Sequence, residues 1–177
     1  HVSSSFGRVY TRAMQRVSIR LGRAGDVAAM ARVHLASVRD LCKDHYEPHE
    51  IERWTAVDPG LYARLLRHST VFIATRGRVV VGFAAVSIAR REVRAVYVAP
   101  SAAGGGVGGR LLQRIERFAR ALGVRTLHLA ATLNAVSFYE RQGWTLDEAC
   151  PTPANYRCVA MCKRILRAGG VRKRSVS

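Results

Sequence analysis

The chain has 177 residues, of which 49% are apolar and 23% charged, and it carries a formal net charge of +17 at pH 7. This length and composition are typical of one soluble globular domain with its own hydrophobic core. The sequence excludes a membrane-embedded chain, because no apolar run approaches the roughly 18 residues that a spanning helix requires. The first residues lack the apolar core of a signal peptide. We therefore expect a cytoplasmic protein with no membrane partner.

The first third of the chain predicts one strand and three helices after a flexible arm. Residues 17–21 alternate like a short strand, and Asp26 then marks the start of a helix whose apolar positions recur at helical spacing. His34 lies on this apolar stripe and is expected to pack in the core. The predicted elements are an arm over 1–16, a strand over 17–21 and helices over 26–43, 49–57 and 59–67.

The remainder of the chain predicts strands arranged around one long helix. Residues 71–74 and 79–88 alternate as two antiparallel strands, and Gly77 holds the tight position of the turn between them. A further strand covers 92–98. The elements predicted after it are a helix over 107–122, a strand over 126–131, a last hairpin over 144–148 and 156–166, and a basic flexible tail over 167–177.

The stretch from Val96 to Leu112 runs from an apolar strand through a glycine-rich loop into a helix. Such a loop lets the backbone approach a ligand closely, and the free N–H groups at the start of the helix favour a phosphate. A Walker A loop is excluded, because Gly109 and Arg110 stand where Lys and then Ser or Thr are required. A dinucleotide loop is matched only in its glycines, since the next strand offers no acidic residue for a ribose.

The whole stretch instead resembles motif A of the GNAT superfamily of acetyl-CoA-dependent N-acetyltransferases. The resemblance lies in Val-x-Pro over 98–100, a gap over 101–105, Gly-x-Gly over 106–108 and a Leu-Leu pair inside the helix. A second segment, from Asn134 through Tyr139 to Gly143-Trp144, resembles motif B. The resemblance covers roughly 71–144, and Tyr-x-Pro followed by Ile-x-x-Trp over 46–54 is similar to an uncharacterised bacterial subgroup.

The resemblance implies one domain over 17–166 with an α/β (α+β) architecture, the GNAT fold. A mixed central sheet of about six to seven strands is flanked by about four helices in such proteins. The fourth strand carries a bulge and splays from the fifth, so that unpaired backbone groups bind the pantetheine arm of acetyl-CoA as if it were a strand. The residues expected to bind this co-substrate are Val96, Tyr97, Val98, Ala103, Gly104, Gly105, Gly106, Val107, Gly108, Gly109, Arg110, Asn134, Phe138 and Tyr139.

Acetyl transfer by direct attack needs a base for the amine and an acid for the departing thiolate. Tyr139 holds the family position beside the CoA sulfur and is predicted as the general acid, with core packing as the alternative. Glu92, an isolated carboxylate in the fourth strand, is predicted as the base. The alternatives for Glu92 are a water relay in its place, or a surface charge paired with Arg90 or Arg94. The family assigns the donor for the thioester oxygen to the backbone N–H near Val98.

Ala103 departs from the family pattern, which opens the loop with Arg or Gln. We expect the backbone to hold the pyrophosphate nevertheless, with Arg110 adding charge.

In this superfamily the segment between the first two helices forms a wall of the acceptor site. The acceptor, a small-molecule or peptide amine, is not identified by these residues. Many such proteins dimerise, and a homodimer stays open here. The candidate substrate-binding residues are Tyr46, Glu47, His49 and Trp54.

Two other functions stay open on the sequence. Ala103 and the uncertain base allow a domain that binds acyl-CoA as a sensor without turnover. The net charge allows a nucleic-acid-associated protein, although the arginines are spread along the chain without interleaved aromatic residues, so we expect no nucleic-acid partner. The cysteines form no CxxC pair and are expected to be reduced, with no metal bound. They are Cys42, Cys150, Cys158 and Cys162.

Overall fold

The computed structural model of the protein describes residues 16–148 and 157–165. The predicted arm up to residue 15, Cys150, the loop over 151–155 and the predicted tail lie outside the described residues. The strands are β1 (Val17–Leu21), β2 (Thr70–Arg76), β3 (Val79–Ser87), β4 (Glu92–Val98), β5 (Thr126–Thr132), β6 (Thr145–Leu146) and β7 (Cys158–Arg164). The helices are α1 (Val27–Leu41), α2 (Pro48–Thr55), α3 (Leu61–His68), α4 (Val107–Ala121) and α5 (Val136–Arg141).

Local side-chain chemistry explains where the first helices begin. The Asp26 carboxylate accepts the Arg23 backbone N–H at 2.9 Å and the Arg20 guanidinium at 2.7 Å just before α1. The hydrogen bond from Arg20 lowers the pKa of Asp26. The Glu47 backbone N–H donates to the Glu50 carboxylate at 2.9 Å, and proline follows at the first helical position, so α2 starts one residue earlier than predicted.

The strands form one seven-stranded sheet in the order β1-β2-β3-β4-β5-β7-β6. All neighbours are antiparallel except β4 and β5, which run parallel and are joined by a single bridge between Glu92 and His128. At this bridge the His128 backbone N–H donates to the Arg91 carbonyl at 2.9 Å. Beyond it the two strands do not pair, which confirms the predicted splay of the fourth and fifth strands.

A β-bulge lies in β4, next to the bridge. Ala95 pairs with Ala85 and Val93 pairs with Val86, so Arg94 is an extra residue without a partner in β3. The bulge exchanges the faces of the strand on its two sides. Val93 therefore shares a core with Val96 and Val98, although a strict period of two would place these residues on opposite faces.

The sheet separates two hydrophobic cores. One face packs on α4, whose buried stripe is Val107, Leu111, Leu112, Ile115 and Ala119. The other face packs on α1 and α3 and includes the β4 residues Ala95 and Tyr97. Side chains of β4 thus alternate between the α4 face and the α1 face, and the bulge reverses this alternation. Glu92, which precedes Val93, points to the α1 side.

A buried carboxylate fixes the segment after α5 against α4. Glu116 accepts hydrogen bonds from the Trp144 indole N–H at 3.3 Å and from the Lys163 ammonium at 2.9 Å. The same ammonium donates to the Gln142 carbonyl at 2.6 Å. Because every partner of this network is satisfied, the end of motif B is held in one position relative to the helix that follows the glycine loop.

Candidate active site

The splay of β4 and β5 opens a cleft of about 630 Å³. Its walls come from the two strands, the glycine loop, the start of α4, α5 and the end of α1. All the residues expected to bind the co-substrate line it except Gly105 and Arg110. The lining also contains residues that were not predicted for the site, namely Ser37, Leu41, Cys42, His45, Val93, Arg94, Ala95, Ala102, Leu129, Ala130, Thr132, Ala135, Arg141 and Gln142.

The glycine loop presents its backbone to the cleft. Gly104 and Gly106 have φ angles of +72° and +74°, and a Cβ atom at either position would meet nothing within 4 Å. These two glycines are therefore needed for backbone conformation and not for close packing. The N–H groups of the first turn of α4 follow directly, with no carbonyl one turn earlier in the helix to accept them.

Gly108 serves a different purpose, because it allows α5 to approach α4. A Cβ atom at this position would lie 3.3 Å from Phe138 Cζ and 3.6 Å from Val98 Cγ2. The ring of Phe138 thus closes over the start of α4, beside the last residue of β4. The loop and motif B, which are separated in sequence, form one wall of the cleft.

Positive charge reaches the glycine loop from residues outside motif A. Arg76, the last residue of β2, places its Nη2 atom 3.9 Å from the Cβ position of Gly105. Arg141 and Gln142 of motif B line the cleft on the other side, and the Gln142 amide lies 3.5 Å from the Cβ position of Gly109. The sequence placed Arg76 in a hairpin turn, and only the fold brings it to the loop.

Asn134 connects motif B to the end of α1. Its amide N–H donates to the Leu41 carbonyl at 3.1 Å, which satisfies one of the terminal carbonyls of that helix. Its side-chain oxygen accepts the Cys42 thiol at 3.5 Å. Burial raises the pKa of Cys42 to about 11, so this lining residue is a neutral thiol near neutral pH.

Tyr139 is buried in the wall beside the cleft, with 7% of its surface exposed. Its ring contacts Phe138 and Trp144 edge-on, at centroid distances of 5.0 and 6.0 Å. Both of these neighbours belong to motif B. The packing therefore holds the phenol at the cleft and allows it few orientations.

The predicted acceptor residues occupy different places. Trp54 lines the cleft, and Tyr46 lies behind it at a centroid distance of 5.5 Å. The Tyr46 hydroxyl donates to the Arg157 carbonyl at 2.5 Å and accepts the Leu133 N–H at 2.9 Å, which ties the segment after α1 to β5 and β7. Glu47 and His49 are exposed at the start of α2 and lie outside the lining.

A neutral histidine supports the aromatic floor of the cleft. His34 is hydrogen-bonded through Nδ1 to the Tyr62 hydroxyl at 2.7 Å, and its ring lies 4.2 Å from that of Tyr97. Burial lowers the pKa of His34 to about 4. The helical spacing of Ser37 and Leu41 from His34 is the signal from which the α1 wall could have been predicted.

Glu92 lies at the closed end of the splay, next to the lining residue Val93 but outside the lining itself. Its carboxylate is 3.6 Å from the Arg90 Nε atom, and 40% of its side chain is exposed. Its bridge partner His128 lies on the same face of β5 as Ala130 and Thr132, which line the cleft, since alternate residues of a strand share a face. The His128 Nδ1 atom lies 2.7 Å from the Asp147 carboxylate.

Two kinds of feature are absent from the described residues, 16–148 and 157–165. No group of three or more His, Cys, Asp or Glu side chains in these ranges is placed to hold a metal ion. No helix within them is long and apolar enough to cross a membrane.

Comparison with known proteins agrees with this geometry. Residues 42–165 match the family model described as an acetyltransferase (GNAT) domain. An IAA acetyltransferase from Azospirillum brasilense is 38% identical over 79 residues, which are 41% of this chain and only about half, 52%, of that protein. A GCN5-related N-acetyltransferase from Rhodopseudomonas palustris superposes with a TM-score of 0.77 at 28% identity, over 85% of this chain and 97% of its own.

A second solved structure shares the fold at lower identity. The PaiA N-acetyltransferase from Thermoplasma acidophilum, solved in complex with coenzyme A, has a TM-score of 0.73 and 19% identity, over 84% of this chain and 99% of that one. The family model covers more than half of the chain, and the splayed sheet carries both motifs at its opening. The chain therefore belongs to the GNAT acetyltransferase family.

Proposed function

We propose that this protein transfers an acetyl group from acetyl-CoA to a primary amine by direct attack of the amine. The observation that carries the proposal is the single bridge between β4 and β5, beyond which the strands diverge around a cleft. The glycine loop bounds this cleft on one side, and the ends of α1 and α2 bound it on another. Acetyl-CoA supplies the activated acetyl thioester when it is bound.

The free edge of β4 supplies backbone donors to the cleft. The Ala99 N–H donates to the Val81 carbonyl on β3 at 2.9 Å. Because the N–H groups of alternate residues in a strand point the same way, those of Val96 and Val98 point to the other edge, toward β5. They are in position to hold an extended pantetheine arm and to donate to a thioester oxygen as it gains charge.

The glycine loop fits a pyrophosphate without the family Arg or Gln at position 103. Val107, Gly108 and Gly109 of the first turn of α4 line the cleft at the positive end of the helix dipole, and Gly104 and Gly106 add no side chain to the loop. Arg76 adds a guanidinium beside Gly105. Backbone donors, with Arg141 in the lining and Arg76 beside the loop, are a set suited to an anion of this kind.

Proton transfer is assigned to two side chains, Tyr139 in the wall of the cleft and Glu92 at the closed end of the splay. The Tyr139 hydroxyl is the general acid that protonates the departing thiolate, as expected for its place in motif B. Glu92 is the carboxylate that receives the proton of the amine. The bulge supports this role, because it turns Glu92 away from the α4 core and toward the side on which α1 and Trp54 lie.

The lining favours one kind of acceptor over another. It is aromatic at Trp54 and Tyr97 and basic at Arg94 and Arg141, and no Asp or Glu is among its described residues. A polyamine would find no carboxylate for its distal charges. An amine whose remaining groups are apolar or anionic, whether a small molecule or a peptide, fits better.

The test is release of CoA thiol from acetyl-CoA by the purified protein with a panel of aromatic amines, amino acids, N-terminal peptides and polyamines. IAA joins the panel because the Azospirillum relative is named for it. Tyr139→Phe is expected to lower kcat by about 100-fold or more while the KM for acetyl-CoA stays within about two-fold. Tyr62→Phe, which removes one hydroxyl from another buried ring, serves as the matched control and is expected to keep kcat.

Thermal shift in parallel separates the outcomes. Stabilisation by acetyl-CoA with no thiol release from any acceptor would favour the ligand-sensor alternative over the enzyme. No stabilisation at saturating acetyl-CoA would refute the whole assignment of the cleft. Equal kcat values for Tyr139→Phe and the parent protein would remove Tyr139 from the mechanism and leave it a packing role.

A further inference from the structure

A carboxylate–imidazole pair lies beside Glu92 at the closed end of the splay. His128 is the bridge partner of Glu92, and paired residues on adjacent parallel strands lie about 4.8 Å apart with side chains on the same face. The His128 Nδ1 atom is 2.7 Å from the Asp147 carboxylate. Asp147 is held in turn by its backbone N–H, which donates to the Ala160 carbonyl at 2.9 Å. Neither His128 nor Asp147 belongs to motif A or motif B.

The hydrogen bond determines which nitrogen of His128 carries the proton. An ionised carboxylate only accepts hydrogen bonds, so the Nδ1 atom of a neutral His128 must be the donor. This tautomer leaves the lone pair on Nε2, the nitrogen farther from Asp147. The result is an imidazole oriented by a carboxylate and ready to accept a proton, the arrangement that general bases share in unrelated enzymes.

We propose that His128 is a proton acceptor of the acetyltransferase site and that Asp147 is its positioning residue. The proposal rests on the function proposed above. The attacking amine gives its proton to the Glu92 carboxylate, water between the part-exposed side chains of Glu92 and His128 passes that proton to the His128 Nε2 atom, and Glu92 returns to its ionised form for the next turnover. His128 releases the proton to water, since 39% of its side chain is exposed whereas only 10% of Asp147 is.

The surroundings of His128 come from three strands. Glu92 lies beside it on β4, and Arg90, which precedes that strand, pairs with the Glu92 carboxylate. Cys162 lies opposite on β7, and Asp147 follows β6.

One experiment reads the tautomer without activity. Long-range proton–nitrogen NMR spectra of the full chain with nitrogen-15 histidine report which ring nitrogen is protonated. We expect the neutral His128 ring to carry its proton on Nδ1, and Asp147→Asn to shift this preference. A neutral ring protonated on Nε2 in the parent protein would overturn the proposal, whatever the activity of the enzyme.

A second experiment tests proton transfer itself. His128→Ala is expected to lower kcat by about 100-fold with little change in the KM for acetyl-CoA, and added imidazole is expected to restore much of the loss. Asp147→Asn should lower kcat less and alter its pH profile. The matched control is His68→Ala, an exposed histidine of α3, which should keep the parent kcat and show no imidazole effect beyond that of the parent.

The outcomes separate this proposal from the proposed function. A parent protein that transfers no acetyl group refutes the proposed function, and the tautomer still decides the arrangement of His128. An active parent with His128→Ala within about two-fold of its kcat, or with a loss that imidazole does not restore, overturns the role of His128 alone. If His128→Ala does not bind acetyl-CoA in a thermal-shift assay, His128→Gln replaces it, and unchanged kcat in that variant overturns the proposal.

Discussion

Replacing Arg76 by alanine tests the proposal that the glycine loop binds the pyrophosphate of acetyl-CoA without the family side chain at position 103. The Arg76 guanidinium reaches to 3.9 Å from the Cβ position of Gly105, whereas Ala103 leaves the start of the loop without a polar group. We expect Arg76→Ala to weaken acetyl-CoA binding and to leave the fold intact. Arg78→Ala removes an exposed arginine two residues further along the same hairpin and is the matched control.

The expected magnitude follows from the exposure of the loop. A buried hydrogen bond to a charged group is worth about 1.5–3 kcal/mol, but an exposed ion pair is worth only about 0.2–1 kcal/mol. Gly104 and Gly105 are exposed, so the contribution of Arg76 should lie near the boundary of these ranges, at about 1 kcal/mol. That free energy corresponds to a rise in the Kd for acetyl-CoA of about five-fold.

Titration calorimetry of CoA into the two variants measures this effect, and repetition at several salt concentrations checks its origin. The difference between Arg76→Ala and the parent protein should shrink as salt rises, because screening weakens an exposed charge. Adding Ala103→Arg to Arg76→Ala should recover part of the affinity. A Kd for Arg76→Ala within two-fold of that of Arg78→Ala would refute the reasoning, and the backbone cradle alone would then account for binding.

Two further predictions concern stability. Burial lowers the pKa of His34 to about 4, against an ordinary value of about 6.5, so the unfolded chain takes up a proton at this histidine before the folded chain does. The free energy of unfolding should therefore fall by up to roughly 3 kcal/mol as pH drops from about 6.5 to about 4. Urea titrations should show this loss in the parent protein and in His68→Gln but not in His34→Gln. Gly106 has a φ of +74°, so Gly106→Ala should destabilise the fold by about 1 kcal/mol. Gly109 lies inside α4 with room for a Cβ atom beside Gln142, so Gly109→Ala should stabilise the fold by up to about 1 kcal/mol. Equal melting temperatures of the two variants would contradict this account of the loop.

Regular periodicity was enough to predict most of the fold. The stripe of α4, the hairpin of β2 and β3 and the two motifs gave the element order, because each element signals itself over several residues. The residues at which elements begin and end were predicted less accurately than the elements themselves. The helix predicted over 59–67 starts at Leu61, since the Asp58 carboxylate accepts the Gly60 N–H at 2.7 Å and holds the preceding residues in a turn.

Apart from Trp54, every predicted site residue that lines the cleft belongs to motif A, to the strand that leads into it, or to motif B. Arg76 is far in sequence from the loop that it approaches, and Ser37 and Cys42 reach the cleft only because α1 packs across β3 and β4. Tyr46 shows the converse. The family resemblance of the segment after α1 suggested a substrate contact for Tyr46. Its hydroxyl is instead engaged by two backbone groups, which no pattern of side chains could reveal.

The bulge at Arg94 connects these observations to the mechanism. Without the extra residue, Glu92 would share a face with Val96 and Val98, and its carboxylate would point into the apolar core beneath α4, where an unpaired charge is costly. With it, the same strand offers backbone N–H groups at the open part of the splay and a carboxylate on the α1 side at its closed end. Under the proposed function, one inserted residue allows β4 to bind a thioester arm and to face an amine. It also places Glu92 beside His128, which is why the proposed base and its proposed proton acceptor have to be tested together.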